Sequence, residues 1–185
     1  RPDQPALRYP SKGYTDAKPT WDTLTYAQFD ARSDAYARGF ARAGVRKGDR
    51  VLMLMKPQAD LWVVLFALFK VGAVPVILDP GMGRKALLEC IERIGCRVVL
   101  AESLLHALRT TLFRKPFAAA EVFITVGMRL WWGGVTLGEC LEEGGEPFPL
   151  AQLDAMDGAA IAFTSGSTGT PKGVSYHQGM WDTAV

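Results

Sequence analysis

The sequence predicts an α/β fold, a parallel sheet flanked by helices, with a strand–loop–strand hairpin near its C-terminal end. Three observations predict it. From about Thr25 onward, extended and helical patterns alternate along the chain, the arrangement that builds parallel strand–helix–strand units. The extended stretches, such as residues 50–55 (RVLMLM), are continuous apolar runs, which fits strands buried on both faces. Near the C-terminal end, a stretch dense in glycine and hydroxyl residues separates two extended segments.

Each element has a local reason. Thr25-x-x-Gln28 is a capping box, in which the Thr hydroxyl and the Gln amide satisfy orphan N–H groups of a first helical turn. Tyr26, Phe29, Tyr36 and Phe40 follow at roughly helical spacing, and Gly44 supplies the stop. Residues 50–55 form the first strand candidate. Pro57 opens a helix to about Val71. Its apolar run, 61–69 (LWVVLFALF), reads as a buried core helix, being well short of the roughly 20 apolar residues that a membrane span needs. Residues 74–78 form a strand ended by Asp79-Pro80-Gly81. A helix over 85–94 capped by Gly95, a strand at 97–100, a helix at 103–113 and a strand at 121–126 follow. Residues 130–149 carry Trp131, Trp132, Gly133 and Gly134, then Gly144, Gly145, Pro147 and Pro149. They predict a long connection holding one short helix near 136–141. The Trp131-Trp132 pair is expected to pack this connection onto the domain. A strand at 159–163 and an extended Val174-Ser175-Tyr176 complete the pattern. Residues 179–185 start a helix without a stop signal, so a segment of a longer protein is expected. The expected organisation is a first α/β subdomain over 1–150 and the start of a second over 151–185.

Composition narrows the function. The chain is 49% hydrophobic, enough for a real apolar core, and 21 basic against 19 acidic residues give a net charge of only +2. That balance does not favour nucleic acid or an acidic membrane surface. The three cysteines, Cys90, Cys96 and Cys140, are odd in number and form no Cys-x-x-Cys pair. With only His106 and His177 besides, neither a disulfide framework nor a protein-held metal site is expected, and reduced thiols in the cytoplasm are. No secretory signal is present in the sequence.

The chemistry lies in FTSGSTGTPKGV, residues 163–174. Thr164, Ser165, Gly166, Ser167, Thr168, Gly169, Thr170, Pro171, Lys172 and Gly173 directly follow an apolar strand. Glycines let the backbone approach a ligand closely, and successive N–H groups in such a turn converge on one anion. Hydroxyls donate to phosphate oxygens. Lys172 adds a mobile positive charge, suited to the negative charge that builds on a leaving phosphate group. The stretch is not a Walker A loop, which needs Gly-Lys-Ser/Thr opening a helix. Pro171 precedes Lys172 and Gly173 follows it, so the loop is expected to join two strands.

The stretch from Thr164 to Gly173 resembles the signature loop of the adenylate-forming superfamily, which includes acyl-CoA synthetases, nonribosomal-peptide adenylation domains and beetle luciferases. Leu24-Thr25-Tyr26, Gly48-Asp49-Arg50-Val51 and Lys70-x-Gly72-Ala73-Val74-x-Val76 also fit that family's N-terminal region. The resemblance covers the chain from about Trp21. It implies the N-terminal part of the family's large domain, with Thr164 to Gly173 holding the β- and γ-phosphates of ATP with Mg²⁺. Lys172 is implied as the catalytic cation at the departing pyrophosphate. The implied reaction activates a carboxylic acid as acyl-AMP.

Two places depart from the ordinary acyl-CoA synthetase pattern. Asp79-Pro80-Gly81-Met82-Gly83-Arg84 replaces an Asn- or Pro-containing segment, and it is similar to the olefin-biosynthesis β-lactone synthetases. That resemblance implies a long-chain β-hydroxy acid whose own hydroxyl displaces AMP, and a complex with other olefin-biosynthesis enzymes. Taken as structure alone, the segment is a turn followed by a helix start, with Arg84-Lys85 solvated. Many family members have a His six residues after the loop lysine. Here Gln178 stands there and His177 is one earlier, so a structural part is expected for His177. Three alternatives stay open. One is an acyl-CoA synthetase using coenzyme A. The others are an ADP-forming phosphotransferase or ATPase, and a non-catalytic nucleotide-binding module.

Overall fold

The computed structural model describes residues 1–11, 20–164 and 171–182. The chain opens with an antiparallel pair, β1 (Pro5–Pro10) and β2 (Trp21–Thr25). No periodicity in the sequence anticipated it: β1 carries a proline at each end, and the pair stands apart from the main sheet. Next comes α1 (Tyr26–Arg42), begun as predicted at Thr25. Thr25 Oγ1 accepts the Gln28 N–H at 3.2 Å, and Gln28 Oε1 accepts the Thr25 N–H at 2.9 Å.

Strands and helices then alternate. They are β3 (Arg50–Leu54), α2 (Ala59–Val71), β4 (Val74–Leu78), α3 (Arg84–Ile94), β5 (Val98–Glu102), α4 (Ser103–Thr111) and β6 (Val122–Val126). Short 3₁₀ turns occupy Pro80–Met82 and Lys115–Phe117. The chain ends with β7 (Val135–Thr136), β8 (Gly158–Thr164), β9 (Lys172–His177) and α5 (Gln178–Asp182). Gly72 and Gly95 end α2 and α3 with positive φ, where a side chain would be strained. None of the helices among the described residues is long and apolar enough to cross a membrane.

Among the described residues, seven strands form one sheet in the order β7-β6-β5-β3-β4-β8-β9, all parallel except β9, which runs antiparallel to β8. Both faces are covered over most of its width. Val51, Met53, Val98, Leu100 and Ile124 pack with Phe40 of α1 and Val63, Val64 and Leu68 of α2. Their neighbours Leu52, Val76, Leu78, Val99 and Ala101 pack on the other side with Cys90, Ile91 and Ile94 of α3 and with Phe117. This two-sided burial is why the strands are unbroken apolar runs. Each fully buried side chain such as Phe40 or Leu68 contributes about 1.5–3 kcal/mol. Lys70 clasps α2 to α1, with Nζ 2.5 Å from both Asp30 Oδ1 and Asp34 Oδ1.

The structure corrects three expectations. The short helix near 136–141 is absent. Thr136 and Glu139 do close a capping box, Thr136 N–H to Glu139 Oε2 at 2.6 Å and Glu139 N–H to Thr136 Oγ1 at 3.1 Å. The turn stops there, because Leu137 and Cys140 are drawn into the core beside α1. A Cβ on Gly39 would meet the Cys140 carbonyl oxygen at 1.9 Å, so these two backbones touch. Arg38 holds the following segment by donating to the carbonyls of Glu142, Gly144 and Glu146. Second, α2 is a core helix on one face only: Val63, Val64, Ala67 and Leu68 are buried, whereas Trp62 and Phe66 are half exposed. Third, the tryptophan pair divides. Trp132 is buried and donates Nε1–H to Thr125 Oγ1 at 2.9 Å, while Trp131 stays exposed.

Trp132 also stacks on His106 at 6.0 Å between ring centroids. His106 is fully buried; Nε2 lies 3.1 Å from Ile124 O, and Nδ1 accepts from Arg109 Nε at 3.0 Å. Because Nδ1 accepts, the proton sits on Nε2 and donates to the carbonyl. The Arg109 guanidinium in turn lies 3.5 Å over the Phe123 ring.

Candidate functional site

The hairpin of β8 and β9 is placed by strand pairing. β8 runs parallel to β4, with Ile77 opposite Ala162 and Leu78 opposite Phe163. Thr164 therefore leaves the sheet at the carboxyl edge, where β3, β4 and β5 also end. β9 returns antiparallel, with Thr164 opposite Lys172 and Phe163 opposite Gly173. The expected strand–loop–strand arrangement is present at both ends of the motif.

Of the ten sequence-predicted binding residues, Thr164, Pro171, Lys172 and Gly173 are brought together at the mouth of this hairpin. Ser165, Gly166, Ser167, Thr168, Gly169 and Thr170 lie outside the described residues. Gly173 has a packing reason: a Cβ there would lie 2.5 Å from the Phe163 ring. Phe163 is buried and belongs to the α3-side core, so the ring fastens the hairpin base to the domain. Pro171 is buried and Lys172 is exposed. Among the described residues no ion pair engages Lys172.

The segment after β4 lies near Pro171. Asp79 Oδ1 accepts the Gly81 N–H at 2.8 Å, capping the 3₁₀ turn, and Gly83 enters α3 with φ 81°. Gly83, Arg84, Lys85 and Pro171 line one cavity of about 440 Å³. The Asp79–Arg84 departure is therefore a turn and helix start, and it also neighbours the candidate loop. His177 is tied down locally: Nδ1–H donates to Met156 O at 3.0 Å, and the next residue's N–H donates to Asp157 O at 2.9 Å. This matches the structural part expected for it.

The remaining titratable candidates lie elsewhere. Burial pushes the thiols of Cys96 and Cys140 up to about 12 and raises that of Cys90, which leaves them unreactive. Desolvation lowers His106 to about 4, with Arg109 adding to the effect against the Ile124 hydrogen bond. Among the described residues no group of three or more His, Cys, Asp or Glu could hold a metal ion. The sequence pattern did not disclose a second feature of this edge, an apolar crevice of about 580 Å³ between the ends of β3 and β4 and the start of α2. A signal was available in Met55-Lys56-Pro57, which ends one apolar strand beside another.

A family model for AMP-binding enzymes matches residues 1–183. Olefin beta-lactone synthetases of Stenotrophomonas maltophilia and Xanthomonas campestris are 45% and 43% identical to the chain. Each alignment takes in 95% of this chain and 32% of the relative, so the chain spans about a third of the length of these curated relatives. The adenylation domain of a carboxylate reductase from Mycobacterium chelonae has the same fold, with a TM-score of 0.76 and 21% identity. That match covers 97% of this chain and 33% of the solved chain.

Proposed function

The chain belongs to the AMP-binding enzyme family, and from that membership and the hairpin together we propose that the protein activates a carboxylic acid with ATP. A carboxylate oxygen attacks the α-phosphorus, the bond to pyrophosphate breaks, and acyl-AMP forms. The observation that carries this reading is the exposed Lys172 standing opposite Thr164 at the mouth of a glycine–hydroxyl hairpin. Gly166, Gly169 and Gly173 would let the backbone close on the β- and γ-phosphates, and the Ser and Thr hydroxyls of 164–170 would donate to them. Lys172 would balance the charge that gathers on pyrophosphate. The described residues do not group acids for a metal. Mg²⁺ bound to the triphosphate would neutralise part of its charge.

For the second step, the relatives named olefin beta-lactone synthetases support an internal nucleophile. The substrate's 3-hydroxyl oxygen attacks the acyl carbon, AMP leaves with the bonding pair, and the hydroxyl proton is released. Ring closure within one molecule draws on high effective molarity. On the same footing we place the protein in the cytoplasm, which suits three buried free thiols, and in company with other olefin-forming enzymes. The division into 1–150 and 151–185 is likewise proposed, the second part beginning as the chain enters β8.

The test supplies MgATP and a 2-alkyl-3-hydroxy fatty acid without coenzyme A. The expected products are AMP, pyrophosphate and a β-lactone. Strict dependence on coenzyme A would replace the lactone step with thioester formation. Lys172→Ala should slow pyrophosphate release by roughly a hundredfold or more while leaving the melting temperature in place, since the side chain is exposed. Wild-type release from that variant would remove Lys172 from the mechanism.

A further inference from the structure

We propose that the crevice at the carboxyl ends of β3 and β4 holds the hydrocarbon chain of the acid, and that Ile77, Leu65 and Trp62 limit the chain it accepts. The inference rests on the acid-activating reading above. The crevice has a volume of about 580 Å³, within the roughly 300–1,000 Å³ of small-molecule sites. Met53, Met55, Leu61, Leu65, Trp62 and Ile77 give it apolar walls. Its place follows a general rule for open α/β sheets. α2 leaves β3 towards one face and α3 leaves β4 towards the other, and ligands bind outside the carboxyl ends of strands where connections diverge in this way.

An apolar path joins the crevice to the hairpin. Ile77, Ala162 and Val174 lie side by side on adjacent strands, so their side chains share one face. Ile77 is 44% exposed and Val174 46% exposed. Two strand spacings of about 4.8 Å each carry this strip from the crevice to β9, on the strand that Lys172 begins. Contiguous exposed apolar surface of this kind marks a binding surface. Charge sets the direction. Lys56 and Glu102 line the far side of the crevice, with Glu102 Oε1 accepting the Lys56 N–H at 3.1 Å. Lys56 and Glu102 together give that side no net charge, whereas Lys172 is a cation at the hairpin, so the carboxylate points to the hairpin and the tail enters the crevice. The larger cavity, about 670 Å³ beneath β1 and α1, has Arg1 and Asp30 in its wall and no such path to the hairpin.

Ile77→Trp in the full-length protein narrows the crevice at an exposed strand position. Each methylene withheld from burial is worth roughly fourfold in binding, so excluding two or three costs roughly fifteen- to sixtyfold. The variant should lower the ratio of kcat/KM for a long-chain over a short-chain 3-hydroxy acid by at least about tenfold, read as pyrophosphate release. It should also weaken the binding of the fluorescent polyene cis-parinaric acid, measured without ATP. Trp62→Ala should shift the preferred chain length upward. An unchanged ratio with unchanged cis-parinaric acid binding would overturn the proposal. So would equal losses at every chain length with a lowered melting temperature, because protein side chains would then fill the crevice. If the wild type releases no pyrophosphate with any acid, the activation reading fails. The cis-parinaric acid measurement still decides whether an alkyl chain occupies the crevice.

Discussion

Mild acid should destabilise the protein through one residue, His106. Its ring is fully buried, and desolvation holds its pKa at about 4 against an ordinary 6.5. The folded state therefore binds this proton less readily than the unfolded chain does. Above pH 6.5 neither state carries it and stability is intact. As pH falls from 6.5 towards 4, the unfolded chain takes up a proton that the folded protein refuses, and stability is lost across that window. At about 1.4 kcal/mol per tenfold change in proton affinity, the full loss is about 3 kcal/mol. Geometry agrees with this direction: Nδ1, the site that would be protonated, already accepts from Arg109 Nε at 3.0 Å. A proton there would break that bond and face a guanidinium group. Urea unfolding of wild type and His106→Gln, in parallel at a series of pH values, isolates the contribution. The variant should be less stable than wild type near neutrality, and its stability should fall about 3 kcal/mol less between pH 6.5 and 4. Parallel declines in the two proteins would refute the assignment.

Three substitutions test the packing of the core and of the hairpin base. Gly39→Ala raises helix propensity by about 1 kcal/mol, yet its Cβ would fall 1.9 Å from the Cys140 carbonyl oxygen. A net loss of about 1–3 kcal/mol on urea unfolding is expected, and a gain would show that the backbone contact yields. Lys70→Met removes the partner of Asp34, whose side chain is only 10% exposed. An unpaired buried carboxylate costs about 3–5 kcal/mol, and Lys70→Met with Asp34→Leu should recover much of that in a double-mutant cycle. Gly173→Ala drives a methyl group against the Phe163 ring. Pyrophosphate release should slow in that variant, and adding Phe163→Leu should restore part of the rate.

The sheet was legible because its strands are buried on both faces, so Val51, Leu52 and Met53 all had to be apolar. The hairpin was legible as a glycine–hydroxyl stretch between two extended segments, although the second, β9, is largely exposed. Strand order was not. β8 lies beside β4 although the whole of α3 to β7 intervenes, and nothing local in either strand encodes that pairing. The site at the carboxyl edge, including the crevice and its path through Ile77, Ala162 and Val174, exists only once β8 has taken that place. The half-exposed Trp62 and Phe66 were misjudged for a related reason. A run such as LWVVLFALF has no polar face to mark which side turns away from the core.

The two capping boxes show where local reading ends. Thr25-x-x-Gln28 and Thr136-x-x-Glu139 form the same reciprocal hydrogen bonds, so the signal was chemically sound both times. The residues downstream of each box make the difference. After Thr25 comes a run of 17 helical residues with an apolar face that α2 can cover, and packing sustains the helix the box begins. After Thr136, Gly138 weakens the turn, and Leu137 and Cys140 find their burial beside Gly39 rather than along a helix of their own. A helix nucleus is unfavourable until packing or length repays it. The capping bonds at Thr136 therefore close a single turn, and Arg38 secures the carbonyls that a longer helix would have satisfied internally.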